Sequence, residues 1–164
     1  MTRPSWDEYF LQLAQLVATR ATCPRRQVGA VLVRDHQILA TGYNGAIRGA
    51  PHCTEVGCLL VKNGERESCV RAVHAELNAL LQCALNGVSS KESTLYVTDY
   101  PCVHCAKALV QAGVVRVVYM EDYPDPHSED IFLAAGIQVE KVTAPPLPLH
   151  VRFGAGEAGH TPMG

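Results

Sequence analysis

Apolar positions along this chain recur with two periods. Ser5-Trp6-Asp7-Glu8 has the S-x-x-E form of a helix capping box, and Tyr9, Phe10, Leu13, Leu16 and Val17 follow at helical spacing to about Arg20. They predict a first amphipathic helix. Val28 to Val33 and Gln37 to Tyr43 are short β-prone runs parted by Asp35-His36, which predicts a hairpin. From Asn44 to about Cys69 the pattern lapses, and a loop of that length inside a compact domain is usually functional or disordered; this one carries three cysteines. After His74, the positions Leu77, Leu80, Leu81, Ala84 and Leu85 predict a second helix that stops near Asn86-Gly87. Leu95 to Thr98 reads as a strand. Pro101 marks a helix start, with Ala106, Leu109 and Val110 leading to Gly113 as its stop, and Val114 to Met120 then reads as a buried strand. Ser128 to Ala135, closed by Gly136, predicts a last helix before the strand Ile137 to Val142. The order α-β-β-α-β-α-β-α-β predicts an α/β fold, a mixed sheet with helices on both faces.

Composition narrows the class. A chain of 164 residues fits one domain and buries a core without staples. The expected division is a folded domain over 1–143 and a Pro/Gly-rich tail over 144–164, either a loose tail or an arm packed on a neighbour through Leu147, Leu149, Val151 and Phe153. No signal-peptide pattern and no membrane-length apolar run is present, so a soluble cytoplasmic protein is expected. Seven cysteines, an odd number, favour reduced thiols used as ligands over a disulfide framework. A net charge of −2 and a pI near 6.4 offer no basic footprint for long nucleic acid, so a small substrate is favoured.

Two segments carry the chemistry, "HAELNA" at 74 to 79 and "YPCVHCAKALVQAG" at 100 to 113. Each sets polar residues at a helix start, where unpaired N–H groups and the helix dipole favour thiolates and other anions. Cys102 and Cys105 share one face there and can clamp a zinc, with His74 as a third ligand from the other helix. Three protein ligands leave one position open, as in catalytic zinc sites. Glu76, two residues past His74, is placed as general acid and base rather than as a ligand. Alone, the Cys-x-x-Cys would equally suit a redox pair or half a zinc ribbon; with HAE it forms the H-x-E…P-C-x-x-C signature of zinc deaminases. His104 reads as an exposed bystander and Cys83 as a packing thiol.

With "QVGAVLV" at 27 to 33, "GYNG" at 42 to 45 and "EDY" at 121 to 123 added to those segments, the chain from about Trp6 to Val142 resembles the deoxycytidylate (dCMP) deaminases, in particular the bacterial type labelled ComE-operon protein 2. The resemblance implies a three-layer α/β/α cytidine-deaminase-like fold with a mixed five-stranded sheet. It also implies hydrolysis of dCMP to dUMP and ammonia, feeding dTMP synthesis. Family members assemble as homo-oligomers, commonly hexamers, activated by dCTP with Mg²⁺ and inhibited by dTTP. Carried over position by position, Gly42, Tyr43, Asn44 and Gly45 would serve the effector nucleotide, and Asn44 the substrate sugar. Tyr123 would pack near the base, Ala75 would also line the substrate site, and Arg26 would meet the 5′-phosphate. For Tyr123 a half-buried core position, and for Arg26 a solvated surface position, are equally open readings.

Some dCMP deaminases also carry a structural zinc, and Cys23 and Cys53 match its first two ligand positions. Cys58 and Cys69 complete a tetrahedral set by inference, with His52 in reserve. Two other readings stand beside dCMP deamination. One is a related deaminase acting on another nucleotide, tRNA or single-stranded DNA; the other is a zinc-held binding protein without turnover.

Overall fold

The protein was analysed as a computed structural model that describes residues 3–123 and 125–147. In chain order its elements are α1 (Trp6–Ala18), β1 (Gly29–Arg34), β2 (Gln37–Tyr43), β3 (Gly45–Ala46), α2 (Cys53–Val56), β4 (Leu60–Asn63) and β5 (Arg66–Cys69). There follow β6 (Ala72–Val73), α3 (Ala75–Asn86), β7 (Thr94–Asp99), α4 (Val103–Gln111), β8 (Arg116–Glu121), α5 (Pro126–Ala135) and β9 (Gln138–Lys141). The central sheet has five strands in the order β2-β1-β7-β8-β9. β1 runs antiparallel to β2 and β7, whereas β7, β8 and β9 are parallel, so the sheet is mixed as expected.

Two cores hold helices to its two faces. On one, Phe10, Leu11 and Ala14 of α1 meet Val31, Val33, Tyr96 and Val118. On the other, Ala75, Ala79 and Cys83 of α3, Ala106 and Leu109 of α4 and Phe132 of α5 meet Ala30, Leu32, Leu95, Val97 and Val117. A polar network ties α1 to the sheet: Arg116 donates to both carboxylate oxygens of Asp7 at 2.8 Å and to Glu140 at 2.6 Å, and the Tyr96 hydroxyl donates to Asp7 at 2.8 Å.

The α1 capping box forms as read, with Ser5 and Glu8 exchanging bonds. The β1–β2 hairpin turns at Asp35 and His36, both at positive φ, the conformation of a tight hairpin turn. Several expectations change. The interval from Asn44 to Cys69 is no featureless loop but holds β3, the short α2 and the β4–β5 hairpin. Its strands were invisible to periodicity because every residue of β4 is exposed, leaving no buried face to alternate. α4 begins at Val103 with Cys102 as its N-cap, so Pro101 precedes the helix rather than opening it.

In α3 the core face is the small one. Ala75, Ala79 and Cys83 are buried, while Leu77, Leu81 and Leu85 are exposed. The cause is Gly42 of β2, where a Cβ would stand 2.2 Å from the Ala75 carbonyl oxygen and 2.5 Å from the Ala79 nitrogen. Only small residues on both elements permit that approach. Packing also continues past the expected boundary at 143: Ala144 is buried on the α1 side, and the Pro145 carbonyl accepts from Gln12 at 3.3 Å. The rest of the expected tail, from 148 to 164, lies outside the described residues. No helix among the described residues is long and apolar enough to cross a membrane.

Candidate active site

His74 is the N-cap of α3 and Cys102 the N-cap of α4, and neither side chain caps its own helix. Both turn toward each other. His74 Nδ1 lies 3.4 Å from Cys102 Sγ and 3.5 Å from Cys105 Sγ. Zinc–nitrogen and zinc–sulfur bonds of about 2.1 and 2.3 Å at a tetrahedral angle require roughly 3.5 Å between such atoms, so the donor set has the size and chemistry for zinc. His74 is exposed, Cys102 half-buried and Cys105 buried, which leaves one side of the cluster open.

The neighbouring thiol and imidazole bias one another. Hydrogen bonds from Cys105 and His74 hold the Cys102 thiol down to about 4, and the same contact with Cys102 pushes the Cys105 thiol up. His74 is pushed up to about 9 by its bond to Cys102. Without metal the cluster therefore retains protons that ligation must release. Glu76 sits behind it, 4 % exposed, with its carboxylate 3.7 Å from Cys105 Sγ. Burial raises its pKa to about 7. A carboxyl group so placed can accept and return a proton near neutrality.

His74, Glu76 and Cys102 line a cleft of about 380 Å³, within the range of small-ligand sites, whose walls include Arg26, Asn44, Asp99, Tyr100 and Tyr123. Arg26 is engaged by Asp99, its Nε bonded to one carboxylate oxygen and its Nη2 to the other at 2.9 Å. The Asn44 side chain accepts from the Val28 N–H at 2.8 Å and donates to the Arg26 carbonyl at 2.8 Å, fixing the strand entry below the cleft. Ala75, fully buried at the start of α3, lines the cleft, and the Arg66 guanidinium lies 5.6 Å from the Tyr123 ring. In "GYNG", Gly42 is backed by α3 and Gly45 by Thr22, whose Oγ1 would be 2.2 Å from an added Cβ. Tyr43 alone of the four is exposed.

The second set of thiols converges in part. Cys53, Cys58 and Cys69 bring their sulfurs within 4.8 Å of one another, and Cys53 and Cys69 stand 3.9 Å apart, close to the ~3.8 Å edge of a zinc–thiolate tetrahedron. Cys23 is outside that group; it is buried and lines the cleft together with Cys69 and His74. His52 caps α2 instead, its backbone N–H donating to Glu55 at 2.9 Å. Burial raises the Cys53 thiol, and desolvation with Cys69 takes Cys58 to about 11. Cys69 moves down despite its burial, because backbone N–H groups including that of Arg71 donate to it. His104 is exposed and Cys83 buried in the core, as expected.

Asp99, Asp125 and Arg66 were not found from sequence. Asp99 ends a buried strand two residues before the proline of the Cys-x-x-Cys segment, and that position was its only signal.

A family model for the cytidine and deoxycytidylate deaminase zinc-binding region matches residues 4–121. ComE operon protein 2 of Bacillus subtilis is 46% identical over 143 residues, covering 87% of this chain and 74% of that protein. The deoxycytidylate deaminase of Mycobacterium phage D29 is 43% identical over 131 residues, 74% of this chain and 99% of the phage protein. That of Schizosaccharomyces pombe is 40% identical over 149 residues, 87% of this chain, which spans only 46% of the yeast protein. Among solved structures, the dCMP deaminase of cyanophage S-TIM5 in complex with dCMP and dUMP aligns with a TM-score of 0.73 at 31% identity, over 87% of this chain and 100% of that one. The matched region contains both helix starts that carry the zinc-sized cluster, and the shared sheet explains why they meet: this chain belongs to the cytidine and deoxycytidylate deaminase family.

Proposed function

We propose that this protein hydrolyses dCMP to dUMP and ammonia. The observation that carries the reading is Glu76, buried beside the His74–Cys102–Cys105 cluster at the floor of a nucleotide-sized cleft. Relatives named as deoxycytidylate deaminases supply the substrate. His74, Cys102 and Cys105 would hold the zinc, which when bound lowers the pKa of a water molecule to about 7. Glu76 takes a proton from the attacking water and delivers it to the pyrimidine N3. Oxygen adds at C4, a proton passes to the amino group, and ammonia leaves.

Tyr123, Ala75 and Asn44 form the walls against base and sugar. Arg26 gives Asp99 two of its five N–H donors, and the others, with Arg25 beside it on the cleft, face the 5′-phosphate. We assign regulation by dCTP with Mg²⁺ and by dTTP to the GYNG turn, where Tyr43 is the exposed side chain. A homo-oligomer, with a hexamer favoured, accords with the exposed row Leu77, Leu81 and Leu85 along α3. A second zinc on Cys53, Cys58 and Cys69, with Cys23 as the nearby fourth thiol, accords with the convergence of those sulfurs.

Release of dUMP and ammonia from dCMP, with deoxycytidine as comparator and dCTP and dTTP titrated separately, tests the reading. No turnover of dCMP at any dCTP concentration would overturn it. Equal turnover of deoxycytidine would remove the phosphate contact. Zinc analysis should give about two ions per chain in the wild type and about one in Cys58→Ser; one in both would end the second site.

A further inference from the structure

Cys102 occupies the N-cap of α4 and cannot cap it, because its sulfur is turned to His74. The orphan N–H of Val103, between the two cysteine ligands in the chain, is instead taken by a carboxylate from elsewhere. Asp125 Oδ2 accepts from Val103 N at 2.9 Å. The same oxygen accepts from Arg66 Nη1 at 2.8 Å, and the other, Oδ1, accepts from Ser128 N at 3.4 Å at the start of α5. The Asp125 side chain is only 1% exposed. Arg66 in turn lies over Tyr123 and directly precedes Glu67, Ser68 and Cys69, which line the cleft. One buried carboxylate thus meets the cysteine-bearing turn of α4, the start of α5 and the β4–β5 hairpin.

We propose that Asp125 is a positioning residue for the zinc ligands: by capping α4 in place of Cys102, it frees both cysteines to face His74, and through Arg66 it locks the cleft rim to that turn. The proposal rests on the reading of the His74 cluster as a zinc site, and not on which nucleotide is deaminated. Charge favours the arrangement, since a carboxylate at a helix N-terminus and opposite a guanidinium is stabilised in both contacts.

Asp125→Ser is the informative variant, because serine still caps α5 but is too short to reach Val103. Asp125→Asn keeps an oxygen acceptor for Val103 and removes the charge. The measurement is zinc release from the zinc-loaded full chain to a coloured chelator, followed together with loss of deaminase activity so that the phase belonging to the cleft is identified. Asp125→Ser should release that zinc about 10- to 100-fold faster than wild type, the usual effect of removing a group that orients a ligand. Asp125→Asn should stay within about threefold, its acceptor being retained. Wild-type release from folded Asp125→Ser, or equally fast release from Asp125→Asn, would overturn the proposal. Should Asp125→Ser not fold, amide exchange in the wild type decides: the Val103 N–H should be protected, and exchange at the rate of a free amide would overturn the assignment. Failure of dCMP turnover with normal zinc kinetics would instead strike only the substrate reading.

Discussion

Glu76 shows how a single residue acquires its chemistry from position. Its neighbours in sequence are ordinary, but as the second residue of α3 it is directed inward against Cys105, where burial lifts its carboxyl to about 7. Glu76→Gln keeps the shape and removes the proton transfer. The expected result is a fall in kcat of about 10²- to 10⁴-fold for dCMP with zinc content unchanged, measured by dUMP release and metal analysis. A drop in zinc equal to the drop in rate would make Glu76 a structural support instead. That His74, Cys102 and Cys105 would share one site, with Glu76 beside it, could be read from spacing, because local helix geometry decides which side chains share a face. The roles of Asp99 and Asp125 could not. Each acts through a partner far along the chain, Arg26 for Asp99 and Arg66 and Val103 for Asp125, and no local pattern encodes such meetings.

At the scale of elements, the position of α3 depends on how near β2 lets it come. Gly42→Ala would drive a methyl into the α3 backbone at Ala75 and Ala79, displacing the helix whose cap is His74. A loss of about 1–3 kcal/mol is expected from overpacking, read from urea midpoints, together with faster zinc loss. An unchanged midpoint would mean that the sheet gives way instead. On the opposite face, α1 is tied down by Asp7 and Arg116. The bond from Arg116 holds the Asp7 carboxyl below its usual range, so its contribution is complete above about pH 4 and disappears as pH falls through the depressed folded value. Asp7→Asn should therefore cost about 2 kcal/mol near neutrality and progressively less in acid. Urea midpoints of the two proteins should converge as pH falls, and a constant gap would exclude Asp7 as the titrating group.

At the scale of the molecule, Leu77, Leu81 and Leu85 are exposed and helical spacing places them along one edge of α3, the surface that the proposed homo-oligomer would cover. Leu81 is 50% exposed, so a charge there should not disturb the fold of one chain. Leu81→Glu is expected to shift sedimentation toward the monomer with zinc content retained. An unchanged sedimentation profile would place the contact between copies elsewhere.

By itself the sequence determined four of the helices, the five strands of the central sheet, and the His74, Glu76, Cys102 and Cys105 set proposed here for zinc binding and proton transfer. Each of these depends on residues close together in the chain, whose spacing and capping chemistry are local. It did not disclose which face of α3 is buried, because periodicity marks the leucines as apolar whereas the close approach at Gly42 admits only alanine-sized residues. Tertiary structure decided which of the remaining cysteines converge, where Arg26 is spent, and which carboxylate caps the cysteine-bearing helix. Those outcomes depend on distances between segments far apart in the chain, which the packing of helices on a mixed sheet sets and no single stretch contains.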